Sequence, residues 1–284
     1  MNIFNAEKLY FLGPEGTYAQ QAMKQFIKDN NIKANKIIPL KPITAILQSI
    51  DSDKNAMAVL PIENSIEGIV RETIDNLIKL KDKDIKIISE TVIPISHCLI
   101  SQSKNISDIK HILSHPQALG QCSDFICKNF KGIDVVETSS TSEAARIAKE
   151  KGGEYAAIAS SLAAKIFNMN ILAEQINDEK DNKTRFILLA RGYYPTSATG
   201  KTSVFFAVKN EPGSLVNVLN VFHQYNINLL YIESRPSKKK MGEYNFCVDL
   251  EGYITDENIQ EAIKSIKKIT KTVIITGSYP KFEN

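Results

Sequence analysis

Long hydrophobic runs, paired cysteines and arginine-rich segments are all missing from the sequence. No apolar stretch among its 284 residues approaches the roughly 18 residues that cross a membrane. Residues 1–12 interrupt their apolar content with Asn, Glu and Lys, unlike the continuous apolar core of a secretory signal. The four cysteines form no CxxC pair and no histidine spacing suited to zinc, so we expect free thiols and no metal. We therefore expect a cytoplasmic protein.

Arginine accounts for only five of the 35 basic residues, and the formal net charge is a weak +3. The lysines are spread along the chain, whereas nucleic-acid binding normally needs clustered basic residues with aromatic platforms. The run Lys238–Lys240 is interpreted as a solvated hairpin tip rather than a phosphate site. The composition thus argues against nucleic acid and membranes as partners.

The chain length favours two domains, because compact domains cluster near about 100–150 residues. The turn-rich stretch Gly192–Gly200 separates two apolar runs and marks the predicted boundary. Before it, short apolar runs alternate with helical patterns, which is typical of an α/β fold with parallel strands. After it, the order strand, helix, strand, strand, helix, strand predicts a ferredoxin-like βαββαβ unit.

Polar helix starts follow the strands predicted in the first domain. These strands cover Lys8–Leu12, Ala56–Leu60, His111–Ser114, Ile133–Glu137 and Tyr155–Ala159. A helix is predicted from Ile66 onward, and the pairs Asn64 with Glu67 and Ser140 with Glu143 have capping-box spacing. Because the carboxyl ends of parallel strands form a crevice and helix N-termini attract anions, we expect a small anionic ligand there.

A long strand-like segment, Ile85–Ser101, has a proline in its middle and no helical period. Such a segment suits a connection that crosses from one lobe to another, and the stretch after Asn168 offers a return crossing. The sequence therefore predicts two lobes with a cleft between them.

Seven motifs, in order, resemble those of the prephenate dehydratase family. The five in the first domain are Gly13–Tyr18, Pro61–Ser65, His115–Leu119, Ser139–Ala145 and Thr184–Phe186. In the second domain, Gly213–Val216 and Glu233–Pro236 resemble the two phenylalanine-binding stretches of that family's ACT regulatory domain. The motifs extend over nearly the whole chain, so the resemblance is specific.

The resemblance implies decarboxylative dehydration of prephenate to phenylpyruvate, without metal or organic cofactor, in L-phenylalanine biosynthesis. It also implies an α/β, two-lobed, periplasmic-binding-protein-like (type II) catalytic domain over residues 1–195 and an ACT domain over 202–284. The lobes are expected near residues 1–90 with 170–195, and 91–169. Feedback by L-phenylalanine and a homodimer or homotetramer follow from the same resemblance, and the chain is expected to be monofunctional.

The resemblance also assigns residue roles. Thr184 is expected to hydrogen-bond the departing hydroxyl, with Glu63 or His115 as neighbours that relay a proton and Asn64 beside them. Arg185 either clamps a substrate carboxylate or forms a structural ion pair, because adjacent residues of a strand point to opposite faces. The remaining substrate-binding candidates are Thr17, Ser65, His115, Gln117, Ser140 and Thr141. His97 and His111 are interpreted as packed histidines.

The regulatory site is expected to involve Gly213, Ser214, Leu215, Glu233, Ser234, Arg235 and Pro236. Gly213 lets a ligand approach the start of a helix, whose N–H groups suit an amino-acid carboxylate. Two alternatives stay open at this point. One is an arogenate dehydratase, and the other is a cytosolic amino-acid sensor that binds without catalysis.

Overall fold

The computed structural model describes residues 4–80, 83–192, 197, 199–236 and 244–282. Its elements up to residue 191 are β1 (Phe4–Leu12), α1 (Tyr18–Asp29), β2 (Ile32–Leu40), α2 (Ile43–Ser52), β3 (Ala56–Asn64), β4 (Gly68–Ile69), α3 (Arg71–Lys79), β5 (Ile85–Pro94), β6 (Cys98–Ser101), a 3-10 helix (Ile106–Asp108), β7 (His111–Ser114), α4 (Pro116–Gly120), α5 (Ser123–Asn129), β8 (Asp134–Glu137), α6 (Thr141–Lys151), β9 (Tyr155–Ala159), α7 (Ser161–Phe167), β10 (Asn170–Ala173) and β11 (Lys183–Arg191). They are followed by β12 (Gly200–Ala207), α8 (Ser214–Gln224), β13 (Leu229–Pro236), β14 (Tyr244–Glu251), α9 (Glu257–Ile269) and β15 (Thr272–Pro280). In the described part of the chain, no helix is long and apolar enough to cross a membrane.

The chain folds into two units, each assembled from separate segments. Unit 1 contains Met1–Ile46, Val59–Val70 and Thr91–Phe186, and unit 2 contains Leu47–Ala58, Arg71–Glu90 and Ile187–Asn284. Unit 2 thus takes in two segments that the sequence assigns to the first domain. Pro195, where the first domain was expected to end, and the run Lys238–Lys240 lie outside the described residues. The domain limits 1–195 and 202–284 stay a prediction.

Unit 1 holds two sheets. Strands β11, β3, β1 and β2 lie side by side in that order, with β1 and β2 parallel. The second sheet has the order β10-β6-β9-β7-β8, in which β7 pairs in parallel with both β8 and β9. Apolar residues of this sheet pack against α6 and α7 on one face and against α4 and α5 on the other. The predicted α/β layering is confirmed.

Three local predictions differ from the structure. The segment Ile85–Ser101 is two strands, because β5 ends at Pro94 and β6, in the other sheet, begins at Cys98. The helix predicted from Ile66 begins only at Arg71, since the chain first turns into the short strand β4. The strand β2 and the helix α2 were not predicted; in β2, Lys33, Asn35 and Lys36 interrupt the apolar residues without a regular alternation, and only its first residue is buried.

The loop after β1 connects the two sheets of unit 1. Ser160 Oγ donates to the Gly16 carbonyl at 2.8 Å, and Ser142 Oγ donates to the Glu15 carbonyl. Gly16 has φ +84°, and a Cβ there would lie 2.8 Å from Ser142 Oγ, so only glycine fits without a shift. The start of α1 is thereby held against the starts of α6 and α7.

Unit 2 has the ferredoxin-like order predicted for its C-terminal part. Strands β13, β14, β12 and β15 lie side by side in that order, and α8 and α9 pack on one face around Val218, Phe222 and Ile263. Strand β15 pairs with β5 at Gly277, where a Cβ would meet the Ile87 carbonyl at 2.4 Å. The β5 segment therefore belongs to the same packed unit as the C-terminal strands.

A buried ion pair reinforces that packing. Lys201 Nζ lies 2.8 Å from Glu90 Oε1 and 3.8 Å from Asp249 Oδ2, and all three side chains are nearly inaccessible to solvent. Removing one partner of such a pair leaves a buried charge without compensation, which is costly. Glu90 of β5 thus forms an ion pair with Lys201 of β12.

Candidate active site

A cavity of about 440 Å³ opens in unit 1, with walls from both of its sheets. Its lining is formed mainly by residues that follow strands or begin helices. The lining residues are Leu12, Gly13, Thr17, Tyr18, Ala19, Lys41, Pro61, Asn64, Val70, Ile95, His97, His115, Gln117, Ala118, Gln121, Ser139, Ser140, Thr141, Thr184 and Phe186. Hydroxyls, amides and imidazoles therefore dominate its polar wall.

Seven of the ten catalytic and substrate-binding residues predicted from the sequence line this cavity. They are Thr17, Asn64, His115, Gln117, Ser140, Thr141 and Thr184. Glu63, Ser65 and Arg185 do not. Arg185 Nε lies 3.0 Å from Glu63 Oε2 on the neighbouring strand, so these two residues form the structural ion pair that the sequence left open. Ser65 Oγ accepts from Lys183 N at 2.9 Å and lies 3.2 Å from the Asp181 carbonyl.

Two helices of more than ten residues begin at the cavity wall. Thr17 caps α1 by accepting from Gln20 N at 3.4 Å, and Ser140 caps α6 by accepting from Glu143 N at 3.1 Å. The free N–H groups and dipole of a helix start favour an anion nearby. The capping interaction predicted at Ser140 is confirmed.

The second predicted capping box is wrong, and the reason matters for the site. Asn64 Oδ1 accepts from Ile66 N and Glu67 N, both at 3.0 Å, but these residues form a turn into β4 instead of a helix. Side chains of Asn bond local backbone N–H groups in turns as readily as at helix starts. The amide is thereby fixed beside Thr184.

The Thr184 hydroxyl is the hydrogen-bond acceptor in its contact with Asn64. Asn64 Nδ2 donates to Thr184 Oγ1 at 2.9 Å, and an amide nitrogen has no lone pair to accept in return. In the described part of the chain no group accepts the hydroxyl proton of Thr184. The side chain is buried against the cavity, so this proton is available to a ligand there.

Five polar residues of the cavity lining were not predicted as site residues: Tyr18, Lys41, His97, Gln121 and Ser139. Lys41 is the one lysine or arginine among the described lining residues, and it follows the strand β2, which was not predicted from the sequence. Had β2 been predicted, a lysine directly after its end would have indicated a site for an anion. Its charge also contributes to lowering the pKa of Glu143, after the larger effect of the hydrogen bond from Arg146.

His97 was interpreted as a packed histidine, and it is both packed and part of the cavity wall. It is 3% exposed, its Nε2 lies 3.3 Å from Gln121 Oε1, and its Nδ1 lies 3.3 Å from the Tyr18 hydroxyl. Burial lowers the pKa of His97 to about 4 and raises the pKa of Tyr18. Both side chains are therefore neutral near pH 7.

No cluster of three or more histidine, cysteine or carboxylate side chains placed to hold a metal ion occurs among the described residues.

The regulatory candidates lie in unit 2. Gly213, at φ +80°, precedes α8, and Ser214 and Leu215 begin that helix. Ser234 pairs with Phe246 of β14, whereas Glu233 and Arg235 pair with Cys247 and Asn245 and so lie on the opposite face of β13.

The architecture defines a class of protein: a two-lobed, periplasmic-binding-protein-like α/β enzyme with a ferredoxin-like regulatory domain at the C-terminal end. Comparison with known families agrees. Residues 9–193 match the prephenate dehydratase family model, and residues 202–268 match the ACT domain model. The chain belongs to the prephenate dehydratase family.

Individual relatives cover almost the whole chain. A prephenate dehydratase of Methanocaldococcus jannaschii is 41% identical over 285 residues, which is 98% of this chain and 100% of that protein. The crystal structure of prephenate dehydratase from Arthrobacter aurescens in complex with L-Phe has a TM-score of 0.84 and 32% identity, and covers 96% of this chain and 90% of that one. A quorum-quenching acylase, GqqA, has the same TM-score of 0.84 at 25% identity, with 97% and 98% coverage.

The buried His97 predicts a pH dependence of stability. Its pKa is about 4 in the folded protein, against about 6.5 in an unfolded chain. Between these values the unfolded state binds the additional proton, so the free energy of unfolding falls as the pH is lowered from 6.5 towards 4, by up to about 3 kcal/mol. Urea unfolding of wild type and His97→Asn over this range measures the effect.

His97→Asn is expected to lose this part of the pH dependence of the free energy of unfolding. His223→Asn, which removes an exposed histidine, should follow the wild-type curve. An undiminished dependence in His97→Asn would show that another group is responsible.

Proposed function

We propose that this protein converts prephenate to phenylpyruvate, CO2 and water in the cytoplasm. The observation that carries the proposal is the buried Thr184 hydroxyl, whose proton is available at the wall of a polar cavity in a member of the prephenate dehydratase family. The cavity also presents two helix starts and one lysine, which suits a substrate with two carboxylates.

Both bonds that break lie within the substrate, so the protein takes little part in covalent chemistry. The bond between the ring and its carboxylate breaks, and the electron pair enters the ring as CO2 departs. The ring carbon–oxygen bond breaks with its pair on the hydroxyl, which takes one proton and leaves as water. Because the ring becomes aromatic, the enzyme needs mainly to orient the substrate and stabilise the departing oxygen. We assign that stabilisation to the Thr184 O–H donor.

The two carboxylates of prephenate need different treatment. A firm hold on the ring carboxylate would stabilise the ground state, because that group must leave without its charge. The pyruvyl carboxylate persists in the product, so a cation can bind it throughout the reaction. We assign Lys41 to the pyruvyl carboxylate, and the neutral amides and helix starts to the remaining contacts.

Of the two proton-relay candidates, His115 is favoured over Glu63. His115 Nδ1 accepts from Gln117 N at 3.3 Å, so a neutral ring carries its proton on Nε2. It lines the cavity, whereas Glu63 is paired with Arg185 outside it. A threonine hydroxyl and a neutral imidazole N–H are both too weak as acids to lose a proton outright, so each donates a hydrogen bond to the departing oxygen while solvent water supplies the proton.

Turnover by the purified protein tests the proposed function. Prephenate and arogenate are incubated separately, and formation of phenylpyruvate and of phenylalanine is followed. Phenylpyruvate from prephenate is the expected result. Phenylalanine from arogenate, with no reaction of prephenate, would correct the substrate, and turnover of neither compound would leave only the non-catalytic sensor.

Replacing Thr184 tests the role of its hydroxyl in that assay. Thr184→Val is expected to lower kcat about 100-fold or more with KM within about threefold, since the interaction is made mainly in the transition state. Thr184→Ser keeps the donor and should retain most activity. Thr276→Val removes another buried threonine hydroxyl, in unit 2, and should behave as wild type. Near-normal turnover by Thr184→Val would exclude the proposed role.

Replacing Lys41 separates binding from chemistry. Lys41→Met is expected to raise KM for prephenate about 10- to 100-fold with little change in kcat, because a charge-assisted hydrogen bond present in both ground and transition states is lost. Lys36→Met makes the same change of charge on the exposed part of β2 and should leave KM unaltered. Equal effects of the two variants would show that only the net charge matters.

We also propose that L-phenylalanine inhibits the enzyme through the ACT domain. The start of α8 after Gly213 offers N–H donors for the amino-acid carboxylate. Arg235 Nη2 lies 3.1 Å from Asp75 Oδ1 of α3, so this arginine is engaged within unit 2. Since Glu233 and Ser234 face opposite sides of β13, a site shared with a second copy accommodates both better than one chain does. A homodimer, or a tetramer of dimers, is therefore expected.

Gly213→Val tests the regulatory site. A branched residue is strained at φ +80° and obstructs the helix start, so the L-phenylalanine concentration for half-inhibition should rise at least about tenfold with basal activity retained. Gly132→Val strains another open, positive-φ position in unit 1 and should leave inhibition unchanged. Full inhibition of Gly213→Val at the wild-type concentration would place the ligand elsewhere.

A further inference from the structure

We propose that Asn182, outside the cavity lining, and Gln121 are positioning residues that set the direction of the Thr184 hydroxyl proton. They extend the Asn64–Thr184 contact into a chain of side-chain amides that ends at His97. This inference deepens the proposed dehydratase function and rests on it.

The donor-to-acceptor direction of this series of amides is set by the contacts of Asn64 with backbone N–H groups. Its Oδ1 faces two backbone N–H groups, of Ile66 and Glu67, both at 3.0 Å. Backbone N–H groups only donate, so this end of the amide must be the oxygen. The Nδ2 end is consequently directed at three acceptors, which are Asn182 Oδ1 at 2.8 Å, Thr184 Oγ1 at 2.9 Å and the Lys183 carbonyl at 3.1 Å.

The same reasoning orients the next two amides. Because Asn64 donates to it, Asn182 presents its oxygen to Asn64, and its Nδ2 then donates to Gln121 Oε1 at 3.0 Å. Gln121 therefore turns its Nε2 away, towards Glu67 Oε1 at 3.4 Å, which is an acceptor. Each amide has one orientation that pairs donors with acceptors, and the alternative opposes like groups in a buried network.

His97 closes the chain at its far end. Its Nε2 lies 3.3 Å from Gln121 Oε1, which is an acceptor, so the neutral ring carries its proton on Nε2. Nδ1 is then the unprotonated nitrogen and lies 3.3 Å from the Tyr18 hydroxyl, which donates its own proton to the Ser96 carbonyl at 2.7 Å. The tautomer of His97 therefore reports the polarity of amides that lie between it and Thr184.

Asn182 is the decisive residue because it is 1% exposed and is absent from the cavity lining. It has no direct route to a ligand in the cavity, and its side chain contacts Asn64 and Gln121. Any effect of Asn182 on the chemical step must pass through the orientation of Asn64 and Thr184. Without the Asn182 acceptor, Asn64 stays held at Oδ1 and by the Lys183 carbonyl, but its Nδ2 can tilt away from Thr184, which would let the threonine turn its proton away from the departing oxygen.

Kinetics of Asn182 variants of the full-length protein test the proposal. Asn182→Leu is expected to lower kcat about 10- to 100-fold with KM within about threefold, since misplacement of a catalytic group has effects of this size. Asn182→Asp keeps an oxygen for Asn64 and should restore kcat to within about threefold of wild type. Asn76→Leu, at a buried asparagine in unit 2, is the matched control and should leave kcat unchanged.

A kcat of wild-type size in folded Asn182→Leu would overturn the proposal, as would an equal loss in Asn182→Leu and Asn182→Asp. If Asn182→Leu does not fold, Asn182→Ala replaces it, because this smaller change also removes the oxygen that accepts from Asn64. The same loss of kcat is then expected, and wild-type kcat again overturns the proposal.

Nitrogen NMR of the His97 side chain identifies its protonated ring nitrogen, and so tests the hydrogen-bonded series of amides without measuring turnover. The wild type should show the neutral ring protonated on Nε2, and Gln121→Glu should raise the pKa of His97 because a carboxylate then lies beside Nε2. A ring protonated on Nδ1, or an unchanged pKa in Gln121→Glu, would show that the amide chain does not exist. If wild type fails to turn over prephenate while His97 behaves as expected, the proposed function fails and the chain of amides stands.

Discussion

The carboxamide of Asn64, held by two backbone N–H groups, is the interaction on which the rest of the site depends. Backbone donors cannot reverse their polarity, so the amide has one orientation and directs its nitrogen at Thr184. Thr184 Oγ1 therefore accepts a hydrogen bond from Asn64 Nδ2, and the Thr184 hydroxyl proton remains available for donation to a ligand. A short turn between β3 and β4 thereby determines the hydrogen-bonding character of a residue 120 positions away in the chain.

Around that contact, the cavity provides polarity with little charge. Its polar wall consists of hydroxyls, amides, imidazoles and helix starts, and the buried His97 is neutral near pH 7. Such a wall suits a reaction in which one carboxylate must lose its charge as CO2, because tight binding of that group would oppose its departure. Lys41, directly after the end of β2, supplies a single cation that can bind the pyruvyl carboxylate, which is retained in the product. The scarcity of arginine in the sequence fits this distribution.

The site was partly predictable from the sequence, because polar residues that follow parallel strands collect at one edge of a sheet. That rule placed Thr17, His115 and Ser140 at the cavity, and the family resemblance placed Thr184 there. The rule failed for Asn64 as a helix cap, since a turn and a helix start use the same local hydrogen bonds. It also missed Lys41 and His97, because the first follows a strand that was not predicted and the second stands in an apolar context. The pairing of Asn64 with Asn182 joins segments 118 residues apart, and no local pattern encodes it.

The most direct test is the structure of the protein bound to a prephenate analogue with a saturated ring, which keeps both carboxylates and the hydroxyl but does not become aromatic. The account predicts that the ring hydroxyl oxygen lies within about 3.2 Å of Thr184 Oγ1 as an acceptor, with Asn64 still donating to the same threonine. The pyruvyl carboxylate should lie beside Lys41. A ring hydroxyl directed away from Thr184, or a Thr184 hydroxyl that has turned to a protein acceptor, would contradict it.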